Sequence, residues 1–238
     1  MARQTVDFVN NELYHICYRA VGDAVIFKDA DDYFRAIFAL YEFNNSQPVN
    51  IWLRRLQRKA EKLLLGPTPQ SSLVDRRDKF VEILAFCFMP NHIHLVVRQL
   101  KDGGVSQFMQ KVGTGYATFF NKKYSRKGHL FSRFKAFYVS SDNQLKNVIT
   151  YVHCNPISLI EPGWKEAGIK RSQQVLAFLK EEYRWSSFFD YLGRKNFPSV
   201  TNRDFVLEVM GGAEGSRQAI EDWISHKQEI ADLDARLE

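Results

Sequence analysis

Residues 80–99 read FVEILAFCFMPNHIHLVVRQ, and this stretch decides the fold. Two apolar runs of strand length, residues 80–88 and 92–99, lie on either side of a short break at residues 89–91. Apolar and aromatic runs joined through such a tight turn predict an antiparallel hairpin. We therefore expect two neighbouring strands of one sheet, the second of which begins at His92.

The segments around the hairpin predict the rest of the sheet. Before it, an apolar and aromatic run at residues 13–20 predicts a strand, and acids at residues 29–32 followed by apolar residues at helical spacing predict a helix. After it, apolar residues between 105 and 120 mark one face of a long helix, and residues 134–139 predict a fourth strand. The hairpin is therefore flanked on each side by one helix and one strand.

A last helix follows the fourth strand. Ser141-x-x-Gln144 fits a capping box that begins this helix, and Pro156 ends it near Asn155. The order of strand, helix, strand, strand, helix, strand and helix indicates an α+β fold. We expect a ferredoxin-like, split βαβ antiparallel sheet with helices on one face.

Two segments fall outside this order. Residues 45–78 combine a basic, helix-like piece with the turn-rich Gly66-Pro67-Thr68-Pro69, and we interpret them as an insertion into one domain of residues 1–200. Residues 201–238 are acidic, and we expect a helical C-terminal extension outside the core. The bases of the insertion either contact a polyanionic partner or only cover a surface helix, and they are Arg54, Arg55, Arg58, Lys59 and Lys62.

Positive charge is concentrated in one part of the chain. The formal net charge is +6, and no acidic residue occurs between Asp102 and Asp142. Seven bases lie in that interval, which predicts either a surface that faces phosphates or a solvated basic face. These bases are Lys111, Lys122, Lys123, Arg126, Lys127, Arg133 and Lys135.

The remaining composition indicates a cytoplasmic protein. The three cysteines have no metal-site spacing and lie among apolar neighbours, which predicts small core residues in a reducing compartment. No N-terminal apolar run resembles a signal peptide, and no apolar stretch is long enough to cross a membrane. We therefore expect no membrane partner.

The second strand of the hairpin carries a histidine pair. Alternate residues of a strand point to the same face, so His92 and His94 are expected on one face while Ile93 enters the core. Two neutral imidazoles side by side can bind a divalent ion. A His-x-His pair alone is also compatible with a purely structural role.

The last helix carries a tyrosine and an asparagine at helical spacing. Tyr151 and Asn155 are four residues apart and therefore share a face. The pKa of a tyrosine phenol is about 10. Tyr151 therefore needs a nearby metal to act as a nucleophile at neutral pH. Asn155 offers a neutral oxygen ligand to a hard ion. Taken alone, a tyrosine on an apolar helix face is more often a core residue.

Three motifs together resemble a known family. Residues 88–97 (FMPNHIHLVV), 128–136 (GHLFSRFKA) and 151–156 (YVHCNP) are similar to motifs of the single-tyrosine HUH transposases, an insertion sequence 200-like family. More narrowly they resemble the REP-associated tyrosine transposases, and residues 14–16 and 183–187 also fit that branch. The resemblance covers roughly residues 10–195. It departs after the first strand, where the family often has an Asn-Arg-Gly turn and this chain does not.

The resemblance implies a metal-dependent transposase that nicks and rejoins single-stranded DNA at hairpins. His92 and His94 match the metal pair, Asn155 the third ligand and Tyr151 the nucleophile that forms a 5′-phosphotyrosine. The implied cofactor is Mg²⁺ or Mn²⁺, and no nucleotide cofactor is needed. The expected DNA contacts are Lys122, Lys123, Arg126, Lys127, His129, Arg133 and Lys135.

Other functions stay open at this point. The chain could be a catalytically silent protein that binds DNA hairpins, although all four active-site positions are present. A replication-initiation or relaxase-type nickase is less consistent with the Tyr-x-x-x-Asn spacing. An RNA-binding module would present aromatics where His92 and His94 stand. The protein is expected to be a monomer or a homodimer; in a dimer that exchanges the tyrosine helix, Tyr151 would lie far from His92 within one chain.

Overall fold

The structure is a computed structural model that describes residues 7–65, 75 and 77–225. Four strands form one sheet, namely β1 (Leu13–Arg19), β2 (Val81–Met89), β3 (His92–Gln99) and β4 (Lys135–Val139). The α-helices are α1 (Ala30–Phe43), α2 (Ile51–Leu65), α3 (Gly104–Lys123), α4 (Asp142–Cys154), α5 (Trp164–Ala167), α6 (Ser172–Ala177), α7 (Phe188–Tyr191), α8 (Arg203–Met210) and α9 (Gly212–Ser225). Short 3₁₀ turns occupy Val21–Asp23 and Asn155–Leu159, and a π-helical turn occupies Phe178–Glu182.

The sheet has the strand order β2-β3-β1-β4, and every neighbouring pair is antiparallel. Strands β1 and β3 are central, and the chain enters and leaves the hairpin β2-β3 through α1 and α3. This is the split βαβ order, so the predicted α+β fold is confirmed. The histidine pair therefore lies on a strand that is hydrogen-bonded on both sides.

Helices α1 and α3 pack on one face of the sheet, as predicted. Alternate residues of β3, including Ile93 and Leu95, are buried in the same hydrophobic cluster as these helices. Gly115 of α3 lies against the ring of Phe43 on α1, where a β-carbon would collide with the ring. The glycine therefore allows the two helices to approach closely.

The opposite face of the sheet is covered as well, by α4 together with the helices near the C-terminus. Leu84 and Val96 belong to a second hydrophobic cluster with residues of α4, α8 and α9, including Trp223. The prediction of helices on one face alone is incomplete because β2 is apolar at nearly every position. A strand with that composition needs cover on both sides.

The insertion contributes α2, which is held against α1 by its arginines. Arg54 and Arg58 form ion pairs with the buried carboxylate of Glu42 at 3.0 and 2.8 Å, so both are used within the protein. Trp52 is 70% exposed on the same helix. The side chain of Lys62 and residues 66–74 lie outside the described part.

The residues after 200 form α8 and α9, and both helices join the second cluster. Residues 226–238 of the predicted acidic extension lie outside the described residues. Across the described ranges, no helix combines the length and apolar character that a membrane span requires.

Candidate active site at the histidine face

The histidine pair lies on the sheet face that α4 covers. Within β3, Ile93 and Leu95 point to α1 and α3, so His92 and His94 point the other way. His15 of the neighbouring strand β1 also faces this side and stacks on His94, with ring planes 5° apart. His94 is buried, and His92 keeps 8% of its surface exposed.

The hydrogen bonds of His92 identify its protonated nitrogen. Nδ1 of His92 lies 2.6 Å from Oδ1 of Asn91, the residue before it in the hairpin turn. An amide oxygen only accepts hydrogen bonds, so Nδ1 of His92 carries the proton. Nε2 then keeps its lone pair, which is the form of a neutral imidazole that binds a metal.

Both imidazoles are neutral at neutral pH. Burial, together with the nearby cations Arg19 and Lys165, lowers the pKa of His92 to about 3. Burial also lowers the pKa of His94 well below its ordinary value. Because a metal binds only the neutral imidazole, the protonation state of the pair suits a metal site.

Helix α4 places Tyr151 beside the histidines of the same chain. The ring centroid of Tyr151 lies 5.7 Å from that of His94 and 5.8 Å from that of His15. Trp223 of α9 lies 6.3 Å away, and Tyr151 is 0% exposed. The tyrosine is thus both next to the histidine pair and enclosed.

Asn155 lies at the C-terminal end of α4, one turn beyond Tyr151. Its Nδ2 donates a hydrogen bond of 2.9 Å to the backbone oxygen of Tyr151, so Oδ1 is the atom of the amide that could bind a metal. Within the described ranges no group of three His, Cys, Asp or Glu side chains can hold a metal ion. An amide oxygen fits a hard divalent ion, so the side chain of Asn155 could complete a ligand set with His92 and His94.

Three cations surround this face. Arg19 is the strand partner of His92, Lys135 is the strand partner of Cys17, and Nζ of Lys165 lies 5.4 Å from the ring centroid of Tyr151. Opposed partners share a face, so both strand cations stand on the side of the histidines. Lys135 was identified from the sequence, but Arg19 was missed. Arg19 lies four residues after His15 on the same strand, so strand alternation places both on one face and could have revealed it.

Lys165 was also missed, and no local pattern marks it. It stands on α5, ten residues beyond Asn155, and only the turn after α4 brings it back over Tyr151. Its charge reaches both histidines and contributes to the lowered pKa of each.

Part of the basic block serves the fold. Lys123 binds Asp29 and Asp32, with Nζ 2.8 Å from a carboxylate oxygen of each. Lys111 donates to the backbone oxygens of Asn45 and Gln47. The absence of acids between residues 102 and 142 therefore overstates the free positive charge, because the groups that bind Lys111 and Lys123 come from distant parts of the sequence.

The remaining predicted DNA contacts lie at the end of α3, in the following loop and at the start of β4. Arg126 donates to the backbone oxygens of Gly128 and His129 and shapes that loop. The others are exposed, and they are Lys122, Lys127, His129, Arg133 and Lys135.

A cleft of about 690 Å³ lies at the outer edge of β2, away from the histidines. Two of its cations, Arg77 and Lys79, form ion pairs with Asp75.

One family of known proteins is similar to the segment that carries the histidine face. Residues 75–155 match the family described as Transposase IS200 like. A solved structure of a REP-associated tyrosine transposase bound to a REP hairpin is similar at 14% identity and a TM-score of 0.49, over 84% of this chain and 90% of that one. No curated protein matches the chain. The segment that is similar to this family contains His92, His94, Tyr151 and Asn155.

Proposed function

We propose that the protein is a metal-dependent transposase that nicks and rejoins single-stranded DNA at hairpins through Tyr151. The observation that carries the proposal is the position of Tyr151, whose ring lies 5.7 Å from His94 of the same chain. The proposed nucleophile and the proposed metal-binding pair thus lie side by side, and all three residues fall within the segment that is similar to the family. The hairpin preference rests on the resemblance of the motifs.

The reaction is a transesterification. The phenolic oxygen of Tyr151 forms a bond to the phosphorus of a phosphodiester, and the bond from phosphorus to the 3′ oxygen breaks. The phenolic proton passes to solvent, and the departing 3′ oxygen takes up a proton. The product is a 5′-phosphotyrosine with a free 3′-hydroxyl, and attack by a 3′-hydroxyl rejoins the strand. No bond energy is lost, so the reaction needs no nucleotide.

The residues that would hold the divalent ion are His92, His94 and Asn155. The two imidazoles offer Nε2 and the amide offers Oδ1, and three ligands leave positions for phosphate and water. With Mg²⁺ or Mn²⁺ held by these residues, the ion would supply Lewis-acid chemistry that polarises the scissile phosphate and favours the phenolate of Tyr151.

The cations of the chain bind the phosphate backbone. Arg19 and Lys135 would attract phosphates next to the scissile bond, because both stand on the histidine side of the sheet. Lys165 lies over the ring of Tyr151, where its charge stabilises the phenolate. The exposed Lys122, Lys127 and Arg133 extend this surface along the strand.

A covalent-adduct assay tests the proposal. Labelled single-stranded DNA with palindromes is incubated with the full chain, with Mn²⁺ or with a chelator, and then denatured. We expect a Mn²⁺-dependent adduct that peptide mapping assigns to Tyr151. Tyr151→Phe is the matched control and should form none. An adduct at another residue, or one that forms equally with the chelator, contradicts the proposal.

One observation favours a second candidate, a silent protein that binds DNA hairpins. Tyr151 is 0% exposed, so DNA cannot reach its hydroxyl without a rearrangement. The same assay separates the two functions. If the protein binds several palindromes tightly with Mn²⁺ present and forms an adduct with none of them, it is the catalytically silent protein.

A further inference from the structure

A third histidine lies next to the proposed ligands and has no role in the reaction so far. His15 is 0% exposed on β1, and its Nε2 lies 3.0 Å from Nδ1 of His94. The two rings are stacked, with centroids 5.2 Å apart. Pairing between the two central strands fixes this contact, because Cys17 opposes His94 and His15 opposes Val96.

A single proton lies between the two facing nitrogens, and its position decides what His94 can bind. If His15 carries it, Nδ1 of His94 accepts, and the proton of a neutral His94 stands on Nε2, where it blocks a metal. If His94 carries it on Nδ1, Nε2 keeps a lone pair for the metal.

We propose that His15 is a positioning residue of the metal site: its Nε2 accepts the Nδ1 proton of His94 and holds His94 in the tautomer whose Nε2 binds the divalent ion. The inference rests on the proposed function, because it requires His94 to be a ligand. Asn91 does the same for His92 through Oδ1. Each imidazole of the pair then has its own acceptor behind it, which orients the ring and raises its basicity.

The surroundings of His15 support a role for its Nε2. The ring of Phe137 packs 5.9 Å from it, and the edge of Tyr151 lies on a further side. Nδ1 of His15 has no hydrogen-bond partner among the described residues. An apolar side chain at this place would leave no buried nitrogen unsatisfied, so packing alone does not explain a histidine.

Metal titration without DNA tests the inference. The full-length chain is titrated with Mn²⁺, and free Mn²⁺ is followed by electron paramagnetic resonance. His15→Leu removes the acceptor and should weaken Mn²⁺ binding by about ten- to a hundred-fold. His15→Gln presents an acceptor where Nε2 stood and should stay within about threefold of the wild type. Phe137→Leu removes a stacked ring but no hydrogen bond, and it should also stay within about threefold.

Two outcomes distinguish this inference from the proposed function. If His92→Ala leaves Mn²⁺ binding unchanged, the proposed metal site is wrong. If His92→Ala abolishes binding while folded His15→Leu binds as tightly as the wild type, only the role of His15 is overturned.

A measurement on the wild type covers the case in which His15→Leu does not fold. Long-range ¹H–¹⁵N spectra of the imidazoles with Mg²⁺ should place the protons of both His94 and His15 on Nδ1. A proton on Nε2 of His15 overturns the proposal.

Discussion

The ring of Tyr151 stands edge-on to the imidazole of His94 in the same chain, with their planes 89° apart. Helix α4 follows β4 directly, and β4 pairs with the strand next to β3. The tyrosine and the histidine pair are therefore brought together by one polypeptide. A second copy that exchanges α4 is not needed to complete the site.

This geometry predicts that two inactive variants do not rescue each other. Tyr151→Phe lacks the nucleophile, and His94→Ala lacks a proposed ligand. Because each site takes both residues from one chain, a mixture should form no more DNA adduct than the two proteins alone. Adduct yield on a denaturing gel is the measurement, and a rise towards the wild-type yield on mixing would show that the tyrosine acts in trans.

Tyr151→Phe is expected to abolish cleavage and leave DNA affinity within about twofold. The substitution removes one hydroxyl and keeps the ring between His94 and Trp223. Cleavage is followed on a gel and binding by fluorescence anisotropy. Nicking at the parental rate by the phenylalanine variant would exclude Tyr151 as the nucleophile.

Lys165→Gln is expected to slow adduct formation by about tenfold or more, because it removes a positive charge beside the developing phenolate and phosphate. DNA affinity should change little, since one phosphate contact among several is lost. Single-turnover rates at saturating DNA are the measurement. Lys170→Gln is the control on the same segment, because this side chain is exposed. Equal rates for both variants would remove Lys165 from the reaction.

Stability is expected to fall on acidification, and His153 provides a measurable part of this fall. His153 is hydrogen-bonded to Ser187 at 2.8 Å, and burial lowers its pKa from 6.5 to about 3. Below pH 6.5 the histidine is protonated in the unfolded chain but stays neutral in the folded chain. Its contribution to the free energy of unfolding is therefore complete above pH 6.5 and is lost as the pH falls towards 3. Between pH 7 and 5 one such histidine costs about 2 kcal/mol.

Urea unfolding at the two pH values measures this contribution. His153→Gln keeps a donor near Ser187 but has no titrating ring. Between pH 7 and 5 its free energy of unfolding should therefore fall by about 2 kcal/mol less than that of the wild type. His129→Gln, at an exposed position, should lose as much as the wild type. Parallel losses for all three proteins would contradict the assignment.

Gly115→Ala is expected to lower the free energy of unfolding by about 1–2 kcal/mol. Alanine favours a helix over glycine by about 1 kcal/mol, but the new methyl group collides with the buried ring of Phe43. Thr114→Ala, one residue earlier and exposed, is the matched control and should be neutral or stabilising. A Gly115→Ala variant as stable as this control would show that the ring of Phe43 moves aside at no cost.

Local signals in the sequence predicted most of the fold. The hairpin turn at residues 89–91 and the Ser141 cap of α4 both occur as predicted, with Ser141 accepting from the backbone of Gln144 at 3.3 Å. Strand alternation also predicted that His92 and His94 share a face. These features depend on residues within a few positions of one another, which is why the sequence alone reveals them.

Features that depend on distant pairing were not predictable in the same way. Lys123 lies in an acid-free interval, yet it meets Asp29 and Asp32, which precede it by more than ninety residues. Lys165 reaches Tyr151 only because of the path of the chain after α4. The chemical roles of His92, His94, Asn155 and Tyr151 stay predictions until the adduct and metal experiments are done.

Enclosure of Tyr151 makes the proposed strand cleavage a gated reaction. At 0% exposure the hydroxyl is reached only from a minor open state, so the observed rate constant is the product of the open population and the intrinsic chemical rate. An open fraction of about 1% would lower the observed rate about a hundredfold without any change in the chemistry. Activity measured at one temperature then reports on the packing between α4 and α9 as much as on the nucleophile.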